Sequence, residues 1–296
     1  MRIGIDLGGT KIEIIAIDES SNEIYRERVA TPQDSYPKTV TALVQLIRDC
    51  EAKCNITATS IGIGIPGAIS PASGLIKNAN STCLIGQRLD KDLEDQLDRQ
   101  VKLANDADCF ALSEATDGSG QNYNSVFGVI LGTGVGGGII INKQLLQGPN
   151  AICGEWGHNP LPWLCADDLP GRDCYCGKDD CIETFLSGPG FSKAYSLHNS
   201  VQRNAEGIWT AADEGSEQAV KFCNLYIEQL AKALASVINI LDPEVIVLGG
   251  GLSNQDRIYS QIDAYLGKYV FSDRVTTPIM KATHGDSSGV RGAAWL

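Results

Sequence analysis

No run of apolar residues in this chain approaches the roughly 18 needed to cross a bilayer, so a membrane span is not expected. Cationic side chains are also scarce. Lys and Arg total 24 against 36 Asp and Glu, a net charge of −12. A nucleic-acid partner needs Lys/Arg stripes to neutralise phosphates, and this balance argues against one. It does not exclude a small anionic ligand, because backbone N–H groups bind phosphate without net positive charge. Prolines number 11 against 32 glycines, which suggests tight turns rather than disorder. A secretory leader is missing too: the chain opens on MRIGIDLGG, a strand pattern, and the expected compartment is the cytoplasm.

Cysteine, by contrast, is plentiful, with ten in the chain. In a reducing compartment clustered cysteines read as metal ligands before disulfides. Cys174, Cys176 and Cys181 fall in CYCGKDDCIE, and His158 lies upstream in GEWGHNP. Together they make a Cys3His set, the closed four-ligand arrangement that structural zinc prefers. Glu155 and Glu183 flank this set, so a metal that fixes the loop also fixes two carboxylates. That suggests a site for a polar ligand and not only a staple. Cys50, Cys54, Cys83, Cys109, Cys153, Cys165 and Cys223 are scattered and read as small core or surface residues.

Residues 3–7, 12–17 and 24–29 read as three strands joined by short turns. Val40, Leu43, Val44 and Ile47 then recur at helical spacing. SIGIGIPG is a buried strand, Leu93 to Leu97 a short charged helix, VKLAND a strand, and DADCFALSEA a helix. A shift of 124 residues then lays FGVILGTGVGGGIII over IGIDLGGTKIEIIAI, matching Gly4 with Gly128, Leu7 with Leu131 and Gly8 with Gly132. Two related α/β halves follow from this repeat. Beyond the cysteine loop come a long helix ending before Pro243, the buried strand EVIVLGGG, a helix over RIYSQIDAYLGKYV, and a small-residue helix after HGDSSG.

Three glycine turns follow three strands: Asp6 to Lys11, including Gly8, Gly9 and Thr10; Gly132, Thr133, Gly134 and Gly136; and Gly249, Gly250 and Gly251. Such turns bring peptide N–H groups close to phosphate oxygens. None is a Walker A motif, and a strand rather than a helix follows the first two, so none is a Rossmann fingerprint. Asp6, at a strand end beside the first turn, is a candidate Mg²⁺ ligand, the alternative being a turn-capping Asp. Asn105-Asp106 closes another strand, a common place for catalytic side chains. Asp106 is a candidate general base, and the alternative is a helix N-cap. His198 and His284 each stand near a polar turn and read as solvated or capping residues. Trp156 and Trp163 frame the cysteine loop and read as packing residues.

DLGGTK, GIGIPG, NAN, LANDA, LGTGVGGG, GEWGHNPL, CYCGKDDCIE, ILDPEVIVLGGG and HGDSSGVRGAA occur in this order along the chain. Together they resemble the ROK family of bacterial sugar kinases, and KNANST, GEWGHNPLPW and HGDSSGVRGAAW resemble its fructokinase/mannokinase group. The resemblance implies an actin/hexokinase-like, ribonuclease H-like α/β fold of two domains with a cleft between them. The first would span residues 1–117, with a helix near 285–296 packing back on it; the second, 118–284, would carry the zinc loop. By the same resemblance Asp106 is the base. Gly67, Asn80, Asn105, Glu155, His158 and Glu183 bind sugar, with His158 touching the metal through one nitrogen and the sugar through the other. The first two turns hold ATP phosphates, and Gly249 to Gly251 approach the adenosine. One departure is visible: the family has Gly before the third zinc cysteine, where this chain has Asp180.

The expected activity is therefore Mg²⁺-ATP-dependent phosphorylation of a hexose, with fructose to fructose 6-phosphate favoured. Mannose, glucose and N-acetylglucosamine are the alternative sugars, and a homodimer is the expected assembly. Two other classes compete. A sugar-responsive regulator of the same family would carry a helix-turn-helix module, and an actin- or Hsp70-like ATPase would not need GEWGH and the cysteine cluster.

Overall fold

The computed structural model describes residues 1–32, 35–79, 81–168 and 171–296. In the first half, β1 (Arg2–Leu7), β2 (Lys11–Ile17) and β3 (Glu23–Ala30) form an antiparallel meander. Helix α1 (Tyr36–Cys54) leads to β4 (Ser60–Ile65), a small hairpin of β5 (Ala68–Ile69) and β6 (Ile76–Lys77), and helix α2 (Leu89–Leu97). Strand β7 (Lys102–Asn105) then runs directly into α3 (Asp106–Thr116). The sheet order is β3-β2-β1-β4-β7, with β4 parallel to both β1 and β7.

The second half repeats this plan. Strands β8 (Ser125–Leu131), β9 (Val135–Ile141) and β10 (Gln144–Leu145) precede helices α4 (Ile182–Leu186), α5 (Gly188–Asn199), α6 (Ala205–Asp213) and α7 (Glu217–Leu241). Strand β11 (Val245–Gly249), helix α8 (Asp256–Tyr269), strand β12 (Ile279–Lys281) and helix α9 (Ser288–Ala294) complete the chain. This sheet is ordered β10-β9-β8-β11-β12, with β11 parallel to β8 and β12. Each sheet thus runs third, second, first, fourth, fifth in its own chain order, so the sequence repeat is also a repeat of topology.

Alternation along β2 explains why the first sheet is covered on both faces. Ile12, Ile14 and Ala16 pack with the Val40, Leu43 and Ile47 face of α1. Ile15 and Ile17, one residue out of phase, pack with Val290 and Ala294 of α9. Glycine allows α9 to lie so close: a Cβ at Gly4 would stand 2.2 Å from the Val290 carbonyl oxygen, and one at Gly62 2.0 Å from that of Ala293. Glu13, on this same face, is buried and accepts from Arg26 at 2.6 Å and Arg28 at 2.9 Å.

The chain divides into two compact units. One comprises Met1–Asn122, Gly138–Cys153 and Thr283–Leu296; the other comprises Tyr123–Gly137 and Gly154–Ala282. Among the described residues no helix is long and apolar enough to cross a membrane.

Candidate active site

In the first unit, three adjacent parallel strands end at one edge of the sheet. Asp6 of β1 pairs with Gly64 of β4, and Ile65 of β4 pairs with Asn105 of β7. Asp6, Gly67 and Asn105-Asp106 therefore emerge together at the carboxyl ends of the strands, where open α/β sheets bind ligands. Gly67 has to be glycine, because a Cβ would lie 2.7 Å from the Lys77 carbonyl oxygen. Its own carbonyl accepts from Asn105 Nδ2 at 3.2 Å. Asn105 is the N-cap of α3, and its Oδ1 accepts from the Ala107 N–H at 2.9 Å. The cap role thus falls to Asn105, and Asp106 is the first helical residue. Its Oδ1 also accepts from Ala107 N–H at 2.8 Å, in the positive field of the helix start. Asn80 lies outside the described residues.

The first glycine turn is closed by Gly8 N–H to the Lys11 carbonyl at 3.0 Å, and the Thr31 hydroxyl donates to the Gly8 carbonyl at 2.7 Å. Gly9, Thr10 and Lys11 are exposed at its tip. Asp6 beside it is pushed up to about 6, chiefly by burial, then by the charges of Asp106 and Glu13. A carboxylate crowded in this way gains from a cation, and Asp6 fits the Mg²⁺ role on that ground. The sign follows: the folded state binds the Asp6 proton more tightly than the unfolded chain. This group therefore removes stability as pH rises from the ordinary aspartate value of 3.8 to about 6. Mg²⁺ needs the ionised form. The Mg²⁺ concentration for half-maximal activity is expected to rise about tenfold per unit of pH below about 6, and added Mg²⁺ should move the acid limb of the rate profile downward. Titrating Mg²⁺ at several pH values checks this; a pH-independent Mg²⁺ requirement refutes the assignment.

In the second unit the other two turns end the adjacent parallel strands β8 and β11. Gly250 has φ +82°, and a Cβ there would lie 2.5 Å from the Leu131 carbonyl oxygen, so glycine is required twice over. Gly134 is required for another reason. Glu183 Oε2 accepts from Val135 N–H at 2.9 Å, and a Cβ on Gly134 would stand 2.7 Å from that oxygen. The turn therefore grips a carboxylate from α4. Gly132 is gripped too, its carbonyl accepting from Gly188 N–H at 2.8 Å. The GEWGH segment is pinned to the same turn: the Trp156 indole N–H donates to the Gly136 carbonyl at 3.0 Å, and Gly157 lies against Val135. Trp156 also packs edge-on against Phe127, and Trp163 stacks on Tyr269, as packing residues do.

His158, Cys174, Cys176 and Cys181 come together, each with a ligand atom within 4.8 Å of the others. Cys176 Sγ lies 3.6 Å from Cys181 Sγ, and Cys174 Sγ 3.7 Å from His158 Nδ1. Three soft sulfurs and an imidazole at this spacing fit a tetrahedral zinc. Burial pushes the Cys181 thiol up to about 12, while the backbone N–H of Lys178 holds Cys176 below the ordinary thiol range. A divalent cation would favour the thiolate form of all three.

Asp180 resolves its departure from the family pattern. Its φ is +55°, so the turn does need a left-handed residue there. Aspartate tolerates that conformation better than most residues, and its Oδ1 accepts from Arg172 N–H at 2.8 Å. The Arg172 guanidinium in turn donates to the Thr184 carbonyl at 2.8 Å and lies 3.8 Å over the Phe185 ring, tying the loop to α4. Asp180→Gly exchanges a hydrogen bond for relief of strain and is expected to leave stability within about 1 kcal/mol. Asp180→Ala keeps the strain and loses the bond, and should cost about 1–2 kcal/mol more. Thermal melts of the two zinc-loaded variants check the order; an alanine variant as stable as the glycine one refutes it.

The sequence reading missed α5 and α6, and with α5 one wall of a cavity of about 410 Å³ inside the second unit. Thr133, Arg172, Tyr175, Glu183 and Lys193 are among its lining residues. The signal was present in SGPG, directly after the Glu183 helix, where Ser187 caps α5 by accepting from Gly190 N–H at 3.1 Å. Of the two remaining histidines, His198 Nδ1 lies 2.9 Å from the Ala194 carbonyl oxygen, and His284 Nε2 lies 3.1 Å from Asp117 Oδ1.

Known proteins match this chain over its whole length. The chain is 41% identical over 301 residues to an N-acetyl-D-glucosamine kinase of Pasteurella multocida, covering 100% of this chain and 99% of that protein. It is also 41% identical over 300 residues to the N-acetyl-D-glucosamine kinase of Vibrio cholerae, with the same coverage. Among solved structures, the ROK hexokinase from Thermus thermophilus superposes with a TM-score of 0.87 at 26% identity, covering 99% of this chain and 96% of that one. A ROK family glucokinase from Streptomyces griseus, in complex with glucose and AMPPNP, gives 0.78 at 26% identity, covering 100% and 98%. The fold is thus the actin/hexokinase-like one. A profile of the ROK family matches residues 2–296, and the chain belongs to that family of bacterial sugar kinases.

Proposed function

We propose that this ATP-dependent sugar kinase acts on N-acetyl-D-glucosamine, with Asp106 as the base. Full-length identity to N-acetyl-D-glucosamine kinases carries the choice of sugar. Fructose, the sugar favoured by the shorter motifs, finds no support among these relatives. The placement of Asp106 carries the choice of base. It stands at the edge where β1, β4 and β7 end, beside Asp6.

In this reading a sugar hydroxyl gives its proton to Asp106 as its oxygen bonds to the γ-phosphorus. The bond from that phosphorus to the bridging oxygen breaks, and ADP leaves. The transition state is loose, so Asp106 contributes chiefly by orienting the hydroxyl. Mg²⁺ held at Asp6 would neutralise charge on the phosphates. The Gly8-to-Lys11 and Gly132-to-Gly136 turns present backbone N–H groups to those phosphates, and Gly249 to Gly251 approach the adenosine. Gly67, Asn105, Glu155, His158 and Glu183 hold the sugar. Glu183 is suited to couple the two ligands, because one of its oxygens is already bonded to the phosphate turn. Zinc in the Cys3His set would fix the loop that bears His158 and precedes Glu183. A homodimer is part of the proposal.

The test is a coupled ADP-release assay with Mg²⁺-ATP against N-acetylglucosamine, glucose, mannose and fructose. The highest kcat/KM is expected for N-acetylglucosamine. Faster turnover of fructose would restore the other sugar, and turnover indifferent to any sugar would overturn the kinase reading.

A further inference from the structure

His158 has two ring nitrogens with different neighbours. Nδ1 lies 3.7 Å from Cys174 Sγ, within the four-ligand set. Nε2 lies 3.1 Å from the hydroxyl of Tyr175. The Tyr175 ring meets the imidazole edge-on, with centroids 5.3 Å apart and planes at 88°. Yet this tyrosine is 81% exposed, so little apolar packing holds it there. Its backbone is placed by the two ligand cysteines on either side, and it lines the cavity that Glu183 and Thr133 also line.

An imidazole nitrogen makes one hydrogen bond in its plane, as donor or as acceptor. With a cation on Nδ1, Nε2 carries the proton and donates. Tyr175 Oη and a sugar oxygen are then rivals for one N–H. We propose that Tyr175 is a gate on the sugar site: its hydroxyl takes the hydrogen-bond position on His158 Nε2 that the hexose needs, and the exposed ring swings aside as the sugar enters. The inference rests on the reading of His158 as a sugar ligand through Nε2. Sugar binding exchanges one oxygen partner for another, so it forfeits the stabilisation of the Tyr175–His158 bond. The gate therefore weakens sugar affinity by the net worth of one hydrogen bond, about two- to tenfold. The bond in return keeps Nε2 partnered and the imidazole fixed while no sugar is bound.

Tyr175→Phe removes the hydroxyl alone, at an exposed position where the fold does not depend on it. In full-length, zinc-loaded protein, calorimetry without ATP gives the Kd for N-acetylglucosamine and for glucose, and steady-state assays give KM and kcat. Both Kd and KM are expected to fall about two- to tenfold, with kcat changed by less than about twofold and zinc per chain unaltered. A Kd that stays the same shows that the hydroxyl does not compete and overturns the gate alone. A Kd that rises makes the hydroxyl a sugar contact and overturns it equally. Wild-type protein that binds neither sugar overturns the sugar reading of His158, and the gate with it.

Discussion

Asp106→Asn is expected to lower kcat by about 10²–10⁴-fold while the fold and the sugar Kd stay close to wild type. The structure sharpens this test. A carboxylate at the start of a helix has an ordinary explanation as a cap, and loss of a cap costs about 1 kcal/mol. Here Asn105 is the N-cap of α3, and its side chain accepts from Ala107 N–H. The substitution leaves that cap in place, and the amide oxygen of the new Asn can still accept from Ala107 N–H as Asp106 does. What it removes is the capacity to take a proton. Asn105→Ala is the control for loss of the cap. It removes the cap and the Nδ2 bond to Gly67, and should lower the melting temperature. If Asp106→Asn instead melts early and turns over normally, Asp106 is a structural residue and the base lies elsewhere.

The elements legible in the sequence were those whose packing is periodic. Ile12, Ile14, Ile15 and Ile17 alternate between two covered faces, and Val40, Leu43, Val44 and Ile47 form one helical stripe. The glycine turns were legible as turns, but the reasons for their glycines were not. Only Gly250 among them has positive φ, while Gly134 is small because Glu183 approaches from 49 positions further along the chain. Helix α5 escaped notice because it opens Gly188-Pro189-Gly190, a poor helical sequence that owes its start to the Ser187 cap and to the Gly188–Gly132 bond. The His158–Tyr175 pairing is a contact across a folded loop, with no spacing rule to announce it. The Cys3His set was legible for the opposite reason: the residue types carry the chemistry whatever the local backbone does.

That set yields the second large effect. Cys181→Ser should reduce bound zinc from about one per chain to a small fraction of that and lower kcat/KM for the sugar by about 10²-fold. Cys181 is 1% exposed and is the residue from which α4 starts, two positions before Glu183. Its backbone is bridged to Pro160, just beyond His158. A serine oxygen is a poor substitute for a thiolate on zinc, and without the metal the Cys174–Cys176 arm is held only by weaker contacts, such as Cys174 N–H to the Lys178 carbonyl and the Tyr175–His158 hydrogen bond. His158 and Glu183 then lose their common anchor, and misplacement by about 1 Å suffices for an effect of this size. The first unit, with Asp6 and Asp106, contains none of these residues. Binding of ATP phosphates at the Gly8-to-Lys11 turn should therefore change much less than binding of sugar. Metal analysis, sugar calorimetry and nucleotide calorimetry on one preparation separate these effects. If zinc-free protein binds sugar as tightly as loaded protein, the metal is only a staple. The two carboxylates beside the set would then be held by the Val135 bond and the GEWGH packing rather than by the cysteine loop.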